Sequence, residues 1–177
     1  MKISLPLAFL FLGAVLLHAE ERQGPNTFNF GLTCLIAVSD NHVSPGTGLA
    51  VAWYNPALFG AVGLGAIGHI VMPIVSNYGN YDGTRVGFAA SLLAGASFML
   101  FDNGAFALPF TAGFHINYVT PQEFNWHHMN MGIGVNTDFL WRFAARWHAY
   151  ARLTAIYNFG AGGEFLAFPG IGVGFSF

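Results

Sequence analysis

From residue 27 to 38, bulky apolar side chains alternate with small or polar ones. Phe28, Phe30, Leu32, Cys34, Ile36 and Val38 fall on one side; Thr27, Asn29, Gly31, Thr33, Leu35 and Ala37 fall on the other. Successive side chains of an extended chain point to opposite faces, so this period predicts a strand with one apolar face. The same period returns at 48–54, where Leu49, Val51 and Trp53 share the apolar side, and again at 85–101. Over 105–118 the apolar set is Phe106, Leu108, Phe110, Ala112, Phe114, Ile116 and Tyr118, against Thr111, Gly113, His115 and Asn117. Over 129–143 the inward set contains Asn130, Gly132, Gly134, Asn136, Asp138 and Arg142; over 146–158 it contains Arg146, His148, Tyr150, Arg152, Thr154 and Asn158. The final run, 165–177, sets Ile171, Val173, Phe175 and Phe177 against Gly170, Gly172, Gly174 and Ser176. That strand has one bulky face and one nearly bare face.

Turn chemistry punctuates these runs. Asp40-Asn41 and Pro45-Gly46 mark a loop over 39–47, and Asn55-Pro56 marks a tight turn. Further loops are expected at 77–84, 120–128 and 159–164. Asp102-Asn103-Gly104 suits a three-residue hairpin turn with glycine in the left-handed region, which sets Phe101 opposite Ala105. A three-residue turn at 143–145 sets Asn136 opposite Arg152 and Asp138 opposite Tyr150. The stretch 57–76 is harder. It has no formal charge, is rich in glycine (Gly60, Gly63, Gly65, Gly68), and is long enough for a transmembrane helix. Pro73 near its end, and the Asn55-Pro56 turn that would place Ala57 opposite Tyr54, favour a strand.

Composition narrows the class. The chain is 54% hydrophobic and 16% aromatic, with 23 glycines and only 8% charged residues, about a third of the charge a soluble domain carries. A net charge of −2 without a basic patch gives no footprint for nucleic acid. Cys34 is the single cysteine, so no internal disulfide staples the fold. The mean hydropathy of +0.52 is high for an alternating barrel, and part of it comes from the N-terminus. Lys2, the apolar run 5–17 and Ala19 before Glu20-Glu21 form a secretory leader, 1–19, with cleavage expected after Ala19. Residues 20–177 then make one domain.

The pattern amounts to eight strands of about ten or more residues joined by alternating tight turns and longer loops. An even number of membrane-length strands closes with both ends on the periplasmic side. Trp53, Trp141, Trp147 and Phe177 gather near those ends, as an interfacial aromatic girdle would. The expected fold is therefore all-β, a transmembrane antiparallel up-and-down barrel of eight strands. Over 26–177 the chain resembles the small eight-stranded bacterial outer-membrane barrels of the OmpA membrane domain, OmpX and OmpW type. The resemblance rests on strand pattern and on the terminal aromatic, and carries no functional residue across. It implies the outer membrane of a diderm bacterium as location, with outer-membrane lipid and the barrel assembly machinery as partners. Phe175 and Phe177 would supply the assembly signal.

Candidate chemistry is confined to the inward faces. Asp138, Arg142, His148 and Arg152 lie on adjacent strands, with Asn136, Tyr150 and His115 near them, and form the expected charged and polar lumen network. In a narrow eight-stranded interior such a set fills the bore as a plug or lines a solute path. His127-His128 has no second pair at ligand spacing, so neither metal nor cofactor is expected. Some small barrels are lipid A deacylases with a His-x-Ser on a strand. Here His115 precedes Asn117 and His148 precedes Tyr150 at that spacing, which argues against an enzyme. The expected function is a narrow channel for small solutes. The small and apolar inward faces of 57–76, 85–101 and 165–177, which resemble an OmpW-type interior, suggest hydrophobic ones. The alternative is a closed structural or surface-interaction barrel that displays short loops.

Overall fold

The computed structural model describes residues 26–37, 43–59, 62–76, 84–121, 128–159 and 164–177. The expected leader and most residues of the loops at 39–47, 77–84, 120–128 and 159–164 lie outside them. The described chain forms β1 (Thr27–Ala37), β2 (Val43–Phe59), β3 (Val62–Ser76), β4 (Thr84–Asp102), β5 (Phe106–Pro121), β6 (His128–Arg142), β7 (Trp147–Asn158) and β8 (Glu164–Ser176). Each strand pairs antiparallel with its neighbours in sequence, and β8 returns to β1, closing the barrel. Closure leaves no sheet edge unpaired, the one way a sheet can sit in hydrocarbon. Even the shortest strand, β1 at 11 residues, meets the length of roughly 9–11 that a tilted membrane strand needs. The two ends of the described barrel meet, where the Phe177 N–H donates to the Asn26 carbonyl at 2.9 Å. That end also carries the β4–β5 and β6–β7 turns.

Within 57–76 the described residues are strand, as the pattern favoured, but 57–59 end β2 and only Val62–Ser76 form β3. β3 pairs along its length with β2 and β4. Pairing on both sides satisfies its backbone as fully as a helix would and keeps its inward residues in the bore.

Four turn readings need correction. Asn55-Pro56 is no turn: β2 continues to Phe59, and Tyr54 pairs with Gly65 across the β2–β3 hairpin. Pro56, lacking an N–H, falls in the register irregularity between Asn55 and Phe59. Pro45-Gly46 likewise sits inside β2, at a second shift between Ser44 and Thr47. At the β4–β5 turn Gly104 does adopt a positive φ of 87°. The pairing is nevertheless Asp102 with Ala107 and Phe101 with Leu108, not Phe101 with Ala105. Side chains set this turn: Asp102 Oδ1 accepts the Gly104 N–H at 2.9 Å, and Asn103 Oδ1 accepts those of Ala105 and Phe106 at 3.1 and 2.8 Å.

The fourth, at the β6–β7 turn, matters most. Residues 143–146 join β6 to β7, and the pairing sets Arg142 opposite His148, two residues beyond the Arg146 that a three-residue turn would give; the Phe143 and Ala144 N–H groups both donate to the Trp147 carbonyl. Asp138 therefore stands directly opposite Arg152, Asn136 opposite Thr154, and Arg142 opposite His148.

Outward faces form an apolar belt in which Phe28, Phe30, Leu32, Ile70, Leu92, Phe114, Ile133, Phe139, Leu153 and Ile171 are all exposed. So large an apolar surface is tolerable only against lipid or a partner. Trp141, Trp147 and Phe177 lie outward at the turn end, and Trp53 is half-buried near it. Inside, apolar clusters and polar groups are stacked along the bore. From the turn end come Ala107, Leu140 and Tyr150, then a polar layer, then Ala52, Ile67 and Leu93. Toward the loops lie Leu35, Val71, Ala89, Ile156, Leu166 and Phe168.

Candidate functional site: a polar clasp across the bore

The polar layer is built around one carboxylate. Asp138 is inward on β6 and fully buried, with Arg152 beside it on β7. The guanidinium engages it in bidentate fashion, Nε to Oδ1 at 2.8 Å and Nη2 to Oδ2 at 2.7 Å. Bidentate pairing fixes orientation as well as charge, which a lysine would not do. Oδ2 also accepts the Tyr54 hydroxyl and the Asn29 amide, each at 2.7 Å, and Oδ1 accepts the Asn136 amide at 3.2 Å. Asp138 thus receives donors from β1, β2 and β7 and from its own strand.

The surrounding groups are satisfied in part: Arg152 Nη1, His148 Nδ1 and the Tyr150 hydroxyl are buried without a hydrogen-bond partner. Asn136 Nδ2 donates to the Tyr54 hydroxyl at 3.0 Å, and the Thr154 hydroxyl donates to Asn136 Oδ1 at 2.7 Å. Arg152 Nη2 reaches the Tyr54 oxygen at 3.1 Å, and the guanidinium lies over the Tyr150 ring, 4.7 Å from its centroid. His148 Nε2 donates to Asn29 Oδ1 at 2.6 Å, so it joins Asp138 through Asn29. A buried ion pair is costly unless the remaining lone pairs and protons find partners; here both carboxylate oxygens are met, while Arg152 Nη1 is left without a partner.

The bare face of β8 has a use in this arrangement. A Cβ on Gly174 would collide with Asn29 Oδ1 and His148 Nε2, and one on Gly172 would collide with the Tyr150 ring and the β1 backbone. The glycines are the space into which the clasp fits.

Of the sequence-picked residues, Asp138, Asn136, Arg152, Tyr150 and His148 come together. Arg142 does not. It sits at the turn-end rim and binds Asp102 bidentately, Nη1–Oδ1 at 2.6 Å and Nη2–Oδ2 at 2.8 Å, with a further bond to the Gly104 carbonyl. The reason is register: Arg142 closes β6 beside the β4–β5 turn, where its backbone N–H meets the Ala105 carbonyl. His115 is also apart, buried on β5 in the loop-side half and paired with Ser91 at 2.8 Å. Phe175 and Phe177 face outward and stack 5.9 Å apart, with Trp147 edge-on to Phe175 at 5.4 Å. Asn29, Tyr54 and Thr154 were not singled out. Their only signal is inward phase, because the contacts that recruit Asn29 and Tyr54 span 109 and 84 residues of sequence.

No family model matches the chain, and no curated protein matches it in sequence. Solved structures do. The crystal structure of Neisserial surface protein A (NspA) superposes with a TM-score of 0.64 at 12% identity, covering 86% of this chain and 97% of that one. OprG of Pseudomonas aeruginosa gives 0.62 at 12% identity, covering 90% and 98%. Ail, the attachment invasion locus protein of Yersinia pestis, gives 0.56 at 12% identity, covering 88% and 100%. The fold is that of the small eight-stranded outer-membrane barrels. At these identities the likeness lies in strand count, closure and connectivity, not in the residues of the clasp.

Proposed function

We propose that the protein is an outer-membrane barrel whose bore is closed by the Asp138 clasp, and that it works as a closed barrel presenting its outer rim and loops. One observation carries this reading. Asp138 and Asn136 are 0% exposed and Arg152 is 4% exposed, with hydrogen bonds that run across the interior from β6 and β7 to β1 and β2. Ile67, Leu93 and Phe168 fill the next layers. The narrow channel for small or hydrophobic solutes needs a continuous bore, so the closed alternative accounts better for the packing. The names of two similar structures, a surface protein and an attachment protein, agree with it. Export by the 1–19 leader and assembly through the Phe175–Phe177 end complete the proposal.

The test is flux. Purified protein in liposomes or a planar bilayer should pass no small solute above the protein-free background. Asp138→Ala, checked as folded by its heat-modifiable gel mobility, should raise conductance if the clasp is the seal. Steady wild-type flux of a small solute would favour the channel instead.

A further inference from the structure

We propose that the loop-side half of the bore is an acid-sensitive lock: a neutral His69 packs it shut, and a proton on that ring opens the packing to water. This rests on the closed-barrel reading above and adds its regulation. His69, on β3, is 1% exposed and stacks on Phe168 with ring centroids 4.5 Å apart. Neither of its ring nitrogens has a hydrogen-bond partner among the described residues, so the ring serves as a flat filler. Leu35, Val71, Ile156 and Leu166 pack with Phe168 in the same layer.

A positive charge on this ring has no counter-charge to meet. Ala50 of β2 and Ser91 of β4 stand opposite His69, and neither ionises. The ionisable groups that act on it are the Arg152 guanidinium from β7 and the His115 ring from β5, one a cation and the other able to become one. On β1 the nearby layer offers apolar Leu35. Asp138, on β6, is the only buried acid among the described residues, and five donors already occupy it. The face of Phe168 attracts a cation and offsets part of the cost. The rest stands, because a buried charge without a partner is among the most expensive arrangements in a protein. Water is the remaining source of solvation, and it reaches His69 only if the apolar layer parts.

His115 steepens the response. It bonds Ser91 Oγ at 2.8 Å and Asn158 on β7, which it faces across the bare Gly132. These partners are neutral, so a second proton adds repulsion without bringing an opposite charge. An imidazole in water titrates near pH ~6.5. Two units below that, a state that hydrates one histidine gains up to about a hundredfold over a state that keeps it neutral. Two histidines supply up to about 10⁴, the ratio that turns a population of about 99:1 into 1:99. The closed packing is therefore fully favoured above the ordinary imidazole range and is lost progressively below it.

The test reads water access inside the full chain folded in detergent. In a Cys34→Ser background, Val71→Cys places a thiol in the buried layer, and a small anionic methanethiosulfonate probes it at neutral pH and two units below the imidazole value. Each rate is divided by that of Ala144→Cys, exposed in the β6–β7 turn, at the same pH, which corrects for thiol ionisation. Labelling should be negligible at neutral pH, rise about tenfold or more in acid, and fall again on neutralisation. His69→Leu fills the site but takes no proton, so it should remove most of the rise; His115→Gln should remove less. Replacing a histidine pair outside the bore layer, His127→Ala with His128→Ala, should leave the rise intact. The proposal is overturned by no rise in acid, by a rise that survives His69→Leu, or by loss of the strand signal in circular dichroism at the acid pH, which would mean unfolding. If His69→Leu does not fold by gel mobility, His69→Gln takes its place. Solute flux across liposomes at neutral pH reports on the clasp alone, so a leak there counts against the closed reading and not against the lock.

Discussion

The turn-side and loop-side halves of this barrel solve the same problem, a bore that must be filled, with opposite materials. The turn-side half is polar: a buried carboxylate takes five hydrogen bonds from Arg152, Tyr54, Asn29 and Asn136. The loop-side half is mainly apolar, with Leu35, Val71, Ile156, Leu166 and Phe168 in contact and His69 stacked on Phe168. Apolar filling is tolerant, because volume and shape are all it requires. Polar filling is not. Every donor and acceptor must meet a partner, so it works only when distant strands arrive in the right register. The comparison suggests that the clasp specifies closure, since Asp138 is satisfied only after β1 and β2 have come round to β6 and β7.

The sharpest way to break the comparison is Asp138→Ala. It leaves Arg152 buried without its counter-charge, and removal of one partner from a buried pair typically costs about 3–5 kcal/mol. Urea unfolding in detergent should show a loss of that order. Asp138→Ala with Arg152→Ala should recover part of it, because the pair is coupled. Strictly additive losses would mean that the two side chains do not meet.

On the apolar side, Phe168→Ala should cost about 3 kcal/mol by the same assay, the usual toll of emptying an aromatic site, with no rescue by any polar change. It also frees the face of His69, so a loss well below 1 kcal/mol would show that the loop-side half is loosely filled.

A smaller effect separates the N-terminal strands' share. Tyr54→Phe keeps the ring but removes the hydroxyl that donates to Asp138, worth about 1.5–3 kcal/mol for a bond to a charged group. Its loss should shrink when measured in an Asp138→Asn background. An unchanged penalty there would place the effect in ring packing and not in the clasp.

The smallest change is expected at the rim. Arg142 and Asp102 are partly exposed, so Arg142→Ala should cost about 1 kcal/mol or less and weaken further in salt. A loss rivaling that of Asp138→Ala would bring Arg142 back into the interior network, where the sequence pattern had put it.

What the sequence determined by itself is the alternation. Period two in 27–38, 105–118, 129–143 and 146–158 decides which residues face the bore, because a strand allows only two directions. The inward phase of Asp138, Asn136, Tyr150 and Arg152, the left-handed Gly104 and the outward Phe175 and Phe177 all follow from that rule. Tertiary structure decided the rest. Whether Asp138 faces Tyr150 or Arg152 turned on a two-residue change of register at the β6–β7 turn, which keeps inward faces inward and re-pairs every inward side chain of the hairpin. Whether Pro56 ends a strand or sits in an irregularity depended on what β3 offered opposite it. The recruitment of Asn29 and Tyr54 depended on barrel closure, which brings side chains across the bore from far along the chain. A two-residue period carries no information about distances across a barrel; those are set by strand number and stagger once the sheet has closed.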